Sequence, residues 1–169
     1  MEINLKKTEY LITENTKIKQ LEIEEGKQIK GTNKYQYLGF IILNKRTTEE
    51  DIKNRPGQTR DCIRKLNPVL WDKNISMKTK KKIYNTMTRS ILTYGCENWT
   101  INKKTKNKIR ATEMEFLRRS CRLTRRDRIN NMGIKRRMGI NSDIIDYIEQ
   151  KRITWYGHVR RADQNRWIK

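Results

Sequence analysis

The sequence predicts an α+β chain: a small β-rich part up to about residue 47, then basic helices to the end. Three observations lead there. Strand-forming residues cluster early, above all in the run of Tyr35, Tyr37, Leu38, Phe40, Ile41, Ile42 and Leu43 around Gly39. After Thr47 the apolar residues recur at intervals of three and four, between residues that cap helices. Charged residues make up 35% of the chain against 34% hydrophobic, with a mean hydropathy of −1.01, so a core must come from narrow apolar stripes on otherwise solvated helices.

In chain order, residues 8 to 12 form the first strand candidate and residues 35 to 43 the strongest one. Between them Ile18 to Ile29 alternates loosely, with Gly26 as a turn, which adds a short hairpin strand. Thr48 followed by Glu49, Glu50 and Asp51 reads as a cap with acids in the first turn, where the helix dipole favours them. Pro56-Gly57 then interrupts; the helix is expected to restart at Pro56, since proline is tolerated at the first helical position, and to turn Ile63, Leu66 and Leu70 inward. Ser76 caps the clearest helix, with Ile83, Tyr84, Met87, Ile91 and Tyr94 as its inner face and Gly95 as its stop. A third helix from about Thr105 to Arg122 buries Ile109, Phe116 and Leu117, and the basic segment Arg125-Arg126-Asp127-Arg128 follows. Ser142 and Asp143 cap a fourth helix through Ile144, Ile145, Ile148 and Trp155.

The net charge of +21 points to a polyanion, because clustered cations gain binding free energy by releasing counterions from phosphates. A coding sequence biased toward A and T would also enrich Lys, Asn and Ile. The charge is nevertheless regional. Residues 1 to 50 carry nine Lys and Arg against eight acids, residues 51 to 100 eleven against four, and residues 101 to 169 twenty against seven. The last third also favours Arg over Lys, and Arg binds phosphate bidentately and stacks on bases. Lys78, Lys80, Lys81 and Lys82 form a cluster denser than an ordinary solvated face.

Other classes fit poorly. Cys62, Cys96 and Cys121 are far apart and odd in number, which suits free thiols in a reducing compartment, and no pair among them and His158 has the spacing of a zinc finger or knuckle. Met1-Glu2-Ile3-Asn4 does not open a signal peptide, and no apolar run reaches membrane-spanning length; the expected location is intracellular, nuclear or cytoplasmic, with no membrane partner. A polymerase or nuclease needs paired carboxylates for divalent metals, yet there is no Asp-Asp pair and no Asp-x-Asp. Glu24-Glu25, Glu49-Glu50-Asp51 and Glu113/Glu115 suit helix starts or solvated faces better. Phosphate-cradling glycine loops are absent, and one histidine makes a nucleophilic triad improbable. Read from its residues, the chain binds rather than catalyses.

Several strings then point to a family. Ile3-Asn4-Leu5-Lys6-Lys7-Thr8-Glu9 and Tyr37-Leu38-Gly39 resemble the late palm of reverse transcriptases from non-LTR (LINE-type) retrotransposons. Trp71-Asp72-Lys73-Asn74-Ile75-Ser76, Lys82-Ile83-Tyr84, Leu92-Thr93-Tyr94-Gly95-Cys96-Glu97-Asn98-Trp99, Glu113-Met114-Glu115-Phe116-Leu117-Arg118-Arg119, Asp127-Arg128 and Trp155-Tyr156-Gly157-His158-Val159 are similar, in the same order, to the thumb and post-thumb of that family. The likeness covers nearly the whole chain.

The resemblance implies a division into the end of a palm (1–47), a helical thumb (48–100) and a basic post-thumb (101–169). It implies that Lys7, beside Lys6 in the Asn-x-x-Lys-Thr string, donates a proton to leaving pyrophosphate only in a complete enzyme, and that Tyr37, Leu38 and Gly39 form a primer-grip turn. Lys78, Lys80, Lys81 and Lys82 then belong to a thumb face that follows a template-primer duplex by its shape. Arg118, Arg119, Arg122, Arg125, Arg126, Arg128, Arg136 and Arg137, with Trp155, Arg160 and Arg161, belong to a tail for RNA or target DNA, where Trp155 and Tyr156 either stack on bases or close a small core. The expected partners are an RNA–DNA hybrid, RNA or DNA, together with the missing N-terminal part of the polymerase. No cofactor is expected in this chain; Mg2+ serves the complete enzyme. The family's catalytic aspartates would precede Met1, so the resemblance implies a fragment that is inactive alone. Pro56-Gly57 departs from the family, which has an aliphatic residue within a helix there. A host-recruited basic adaptor for DNA or RNA and a non-functional pseudogene product remain the alternatives. No helix presents Asn, Gln and Arg at base-reading spacing, so direct sequence readout is not expected.

Overall fold

The computed structural model describes residues 4, 8–12, 21–23, 27–45 and 48–162. It has the expected α+β composition, in two compact units, Met1–Asp51 and Ile52–Lys169.

The first unit holds strands β1 Glu9–Tyr10, β2 Leu21–Ile23, β3 Lys27–Gly31, β4 Lys34–Tyr37 and β5 Phe40–Leu43. β3 is central in a three-stranded sheet, parallel to β1 with Glu9 opposite Lys30 and antiparallel to β2 with Glu22 opposite Gln28. Gly26 and Ile18, which figured in the expected hairpin, lie outside the described residues. The strong strand candidate at 35 to 43 is two strands: β4 and β5 pair antiparallel, with Tyr37 opposite Phe40. The chain reverses at Leu38 and Gly39, whose φ angles of +47° and +79° are both positive, as a two-residue type I′ turn requires. Gly39 adopts this conformation freely; Leu38 does so at a cost of about 1–2 kcal/mol.

Helix α1 runs unbroken over Glu49–Lys65 with Pro56 inside it, so the expected interruption does not occur. Pro56 removes one hydrogen-bond donor, a penalty of about 3 kcal/mol in an isolated helix. Here buried Ile52, Thr59 and Ile63 fix the helix on both sides of it, and packing prevails over propensity. The break comes instead at Leu66, after which Pro68 sits in the first turn of α2, Asn67–Trp71. Leu70 is thereby inward, but on a separate helix.

Ser76 caps α3, Met77–Ile83, as expected, its side chain accepting from Thr79 N at 3.2 Å. The helix then passes through a π turn, Tyr84–Thr88, closed by Arg89 N donating to Tyr84 O, before α4, Arg89–Leu92. This inserted residue corrects the expected inner face. A π turn accommodates more residues per turn, so the buried positions step by four, Tyr84, Thr88 and Leu92, while Met87 and Tyr94 are exposed. Gly95, at φ +70°, ends the segment, and a 3-10 turn follows at Cys96–Asn98.

Helix α5, Lys103–Ser120, starts two residues earlier than expected because Asn102 and Thr105 form a capping box; Ile109, Phe116 and Leu117 are fully buried along it. Arg125–Asp127 makes a second 3-10 turn. Helix α6, Asn131–Arg137, has no counterpart in the sequence expectations: it has seven residues, contains Gly133, and is held by Asn130 accepting from Gly133 N at 2.7 Å. Asp143 caps α7, Ile144–Arg161, accepting from Ile145 N at 3.2 Å. Ile144, Ile145 and Ile148 are buried there, whereas Trp155 is exposed and closes no core.

The helical unit encloses one core of Ile63, Leu70, Tyr84, Met114, Phe116, Leu117, Ile134 and Met138, with the Tyr84 and Phe116 rings 5.6 Å apart. A polar chain runs from this core outward, buried at Tyr84 and Glu113 and exposed at Arg110. Tyr84 OH donates to Glu113 Oε1 at 2.6 Å, Glu113 Oε2 lies 3.1 Å from Lys135 Nζ, and Arg110 Nε donates to Asp143 Oδ2 at 2.7 Å beside Lys135. Burial and the Glu113 charge push the Tyr84 phenol far above its ordinary range, so it stays a donor.

Candidate nucleic-acid interface

Lys6 and Lys7 lie outside the described residues. Tyr37, Leu38 and Gly39 occupy the tip of the β4–β5 hairpin, with Leu38 75% exposed. Every other residue expected to bind nucleic acid belongs to the helical unit.

The lysine cluster on α3 divides. Lys78 and Lys82 are exposed, whereas Lys80 is 2% exposed and leaves the surface set. Its ammonium donates to Leu70 O at 2.7 Å, Asp72 O at 2.8 Å and Ser120 O at 3.2 Å. An ammonium has three protons, and all three are committed to carbonyls at the C-terminal ends of α2 and α5. Burial, and then the nearby Arg122 charge, lower its pKa. Lys81 is half-buried and donates to Gly139 O just past α6. Arg122 and Arg137 lie close by, Arg137 near enough to Cys121 to offset part of the effect of burial on that thiol.

Arg118 and Arg119 are half-buried and act as fasteners. Arg118 NH2 donates to Ile129 O and Asn131 Oδ1, both at 2.9 Å, which ties down the loop after α5. Arg119 donates to Asn67 Oδ1 at 2.7 Å and to Glu115 at 2.9 Å. By contrast Arg122, Arg125, Arg126, Arg128, Arg136 and Arg137 are exposed and make no ion pair among the described residues. The acid in their midst, Asp127, is occupied by Thr124, whose N–H and hydroxyl both donate to it and hold its carboxyl below the usual range. Local folding thus concentrates unneutralised guanidinium between residues 122 and 137. Arg160 and Arg161 are exposed in the last turn of α7, and earlier on that helix Ile153, Trp155, Tyr156 and Val159, with Glu149 and Arg152, border an open groove of about 520 Å³.

A larger groove, about 1000 Å³, lies between α2, α5 and the loop after α5. Met114 and Leu123 supply apolar lining, Trp71 stands at one side, and Arg110, Arg118, Arg119 and Arg125 outnumber the single acid, Glu115. Sequence reasoning missed Trp71, Asn67, Asn107 and Asn131 as site residues. Nothing in a tryptophan's sequence context tells that it is 39% exposed beside arginines, and asparagines are common throughout this chain.

The three cysteines are free. Burial raises all three thiols, Cys96 to about 12, which leaves them weak nucleophiles at neutral pH. Among the described residues no group of three or more His, Cys, Asp or Glu is placed to hold a metal ion. No described helix is long and apolar enough to cross a membrane.

Over 99% of its length the chain is similar to an uncharacterized transposon-derived protein of Caenorhabditis elegans, 25% identical across 176 residues. It spans 62% of that protein's length. The similarity indicates a transposon-related origin. No family model matches the chain, and no solved structure matches it.

Proposed function

We propose that this chain is part of an RNA-directed DNA polymerase of a non-LTR retrotransposon, in which the helical unit grips template-primer nucleic acid and performs no chemistry alone. One observation carries the reading: six exposed arginines between residues 122 and 137 have no acidic partner among the described residues, while Arg60, Arg64, Arg110, Arg119 and Arg152 elsewhere in the helical unit are ion-paired. Phosphates are the ligand that such an array lacks, and Arg meets them with two parallel hydrogen bonds. The order of family-like strings and the similarity to a transposon-derived protein support the polymerase context. The missing Asp-Asp pair supports the absence of catalysis in this chain.

The test is binding of the purified chain to matched RNA–DNA hybrid, duplex DNA and single-stranded RNA across a salt titration. The expected result is a preference for hybrid that survives physiological salt. Replacing Arg125, Arg126 and Arg128 by Ala is expected to reduce the salt slope by about three, one for each phosphate that is no longer neutralised. Equal binding to all three ligands with release together at modest salt would leave only the charge, and favour the adaptor or pseudogene alternative. DNA synthesis by the chain in magnesium would overturn the claim of inactivity.

A further inference from the structure

The groove bordered by Trp71 adjoins the arginine-rich segment at 122 to 137, which lines it with Leu123, Thr124, Arg125 and Asn131. We infer that it receives a single unpaired nucleotide, with its base against Trp71 and its phosphate at Arg125, so that the helical unit holds a single-stranded segment beside the duplex. This rests on the nucleic-acid reading above.

Trp71 carries the argument first. Trp99 in the same unit is 1% exposed, while Trp71 is 39% exposed at the end of α2, where it borders a concavity rather than flat surface. An indole with an accessible side is a platform for a base, and every base has a π face to offer. The polar groups match that ligand. Asn67 Oδ1 and Asn131 Oδ1 each accept from an arginine, which directs both amide NH2 groups to serve as donors. Asn107 is exposed, and its side chain makes no hydrogen bond among the described residues. Arg125 is exposed at the rim without an acidic partner, and the carboxylate of Glu115 is taken by Arg60 at 3.3 Å and Arg119 at 2.9 Å. A groove with one aromatic platform, amide donors and a surplus of guanidinium suits a base and its phosphate together. Duplex bases have both faces occupied by stacking, so only an unpaired nucleotide can enter.

The test measures binding of the full chain to a ten-nucleotide single-stranded RNA and to an RNA–DNA hybrid, for the unaltered protein and for Trp71→Leu, Trp71→Phe, Asn107→Ala and Met87→Leu. Trp71→Leu is expected to weaken single-strand binding about tenfold and hybrid binding less than twofold, with Trp71→Phe retaining most of the affinity. Asn107→Ala is expected to cost severalfold on the single strand, and Met87→Leu, at an exposed position away from the groove, to leave it unchanged. In a readout that needs no variant, ultraviolet cross-linking of the oligonucleotide is expected to label the tryptic peptide Leu66–Lys73. Unchanged single-strand binding by Trp71→Leu, or cross-links confined to other peptides while the chain still binds hybrid, overturns this inference alone. Failure of the unaltered chain to bind either ligand overturns the nucleic-acid reading and this inference with it.

Discussion

Among the described residues, Ile41 is the one buried hydrophobic side chain of Met1–Asp51, whereas the unit from Ile52 onward buries seventeen, fourteen of them at 2% exposure or less, in the company of a polar chain through Glu113. The strands are held by backbone ladders and cross-strand pairs, the helices by a closed interior. Two-stranded hairpins are marginal alone, whereas a helical assembly with its own core is not. The difference teaches where the stability of the chain resides, and which substitutions ought to unfold it.

The largest effects are therefore expected in the helical interior. Phe116→Ala should lower the unfolding free energy by about 3–5 kcal/mol in urea titration, because it opens a cavity beside Tyr84. Glu113→Ala should cost less, roughly 2–3 kcal/mol, by leaving the Tyr84 hydroxyl without its buried acceptor while Lys135 keeps Asp143. Ile41→Ala should leave the helical transition in place; an equal shift there would break the comparison. Next comes a pair of positions on α3 that face opposite ways. Lys80→Met should cost about 2–3 kcal/mol through orphaned carbonyls, with Lys82→Met within about 0.5 kcal/mol. For nucleic-acid binding the order should reverse, only Lys82 changing the salt slope, by about one. Asn102→Ala, at the capping box of α5, should cost about 1 kcal/mol by the same titration. The smallest effect favours folding: Leu38→Asn relieves a positive-φ leucine and should slow amide exchange across β4–β5, by up to about 1 kcal/mol.

Much of this architecture was legible in the sequence. Ser76 and Asp143 cap helices, and Ile63, Ile109, Phe116, Leu117 and Ile148 are buried, because cap chemistry and apolar spacing are local properties of the chain. The rest is decided by tertiary packing. Pro56 stays inside α1, the π turn at Tyr84–Thr88 shifts the inner face from Met87 to Thr88, and α6 is too short and too polar to announce itself. The site was less legible than the fold. Regional charge located the arginine-rich segment, but a count of lysines cannot separate Lys80, enclosed by carbonyls, from Lys78 and Lys82 in solvent. Nor could it reveal that Arg118 and Arg119 are spent on holding loops, or that Trp71 faces a groove.

The enclosed ammonium has a consequence for how this sequence can drift. Each Lys codon lies a single base from an Arg codon, so diverging copies of a transposon-related gene exchange lysine for arginine readily. At Lys78 and Lys82 the exchange keeps the charge in solvent and costs little. At position 80 three carbonyls surround one nitrogen, and a planar guanidinium, longer and with its donors spread over a fork, cannot replace a compact ammonium there. Across diverged copies that still fold, lysine should persist at 80 while its neighbours turn to arginine, so that the one lysine of the cluster with no view of solvent becomes its most slowly changing member.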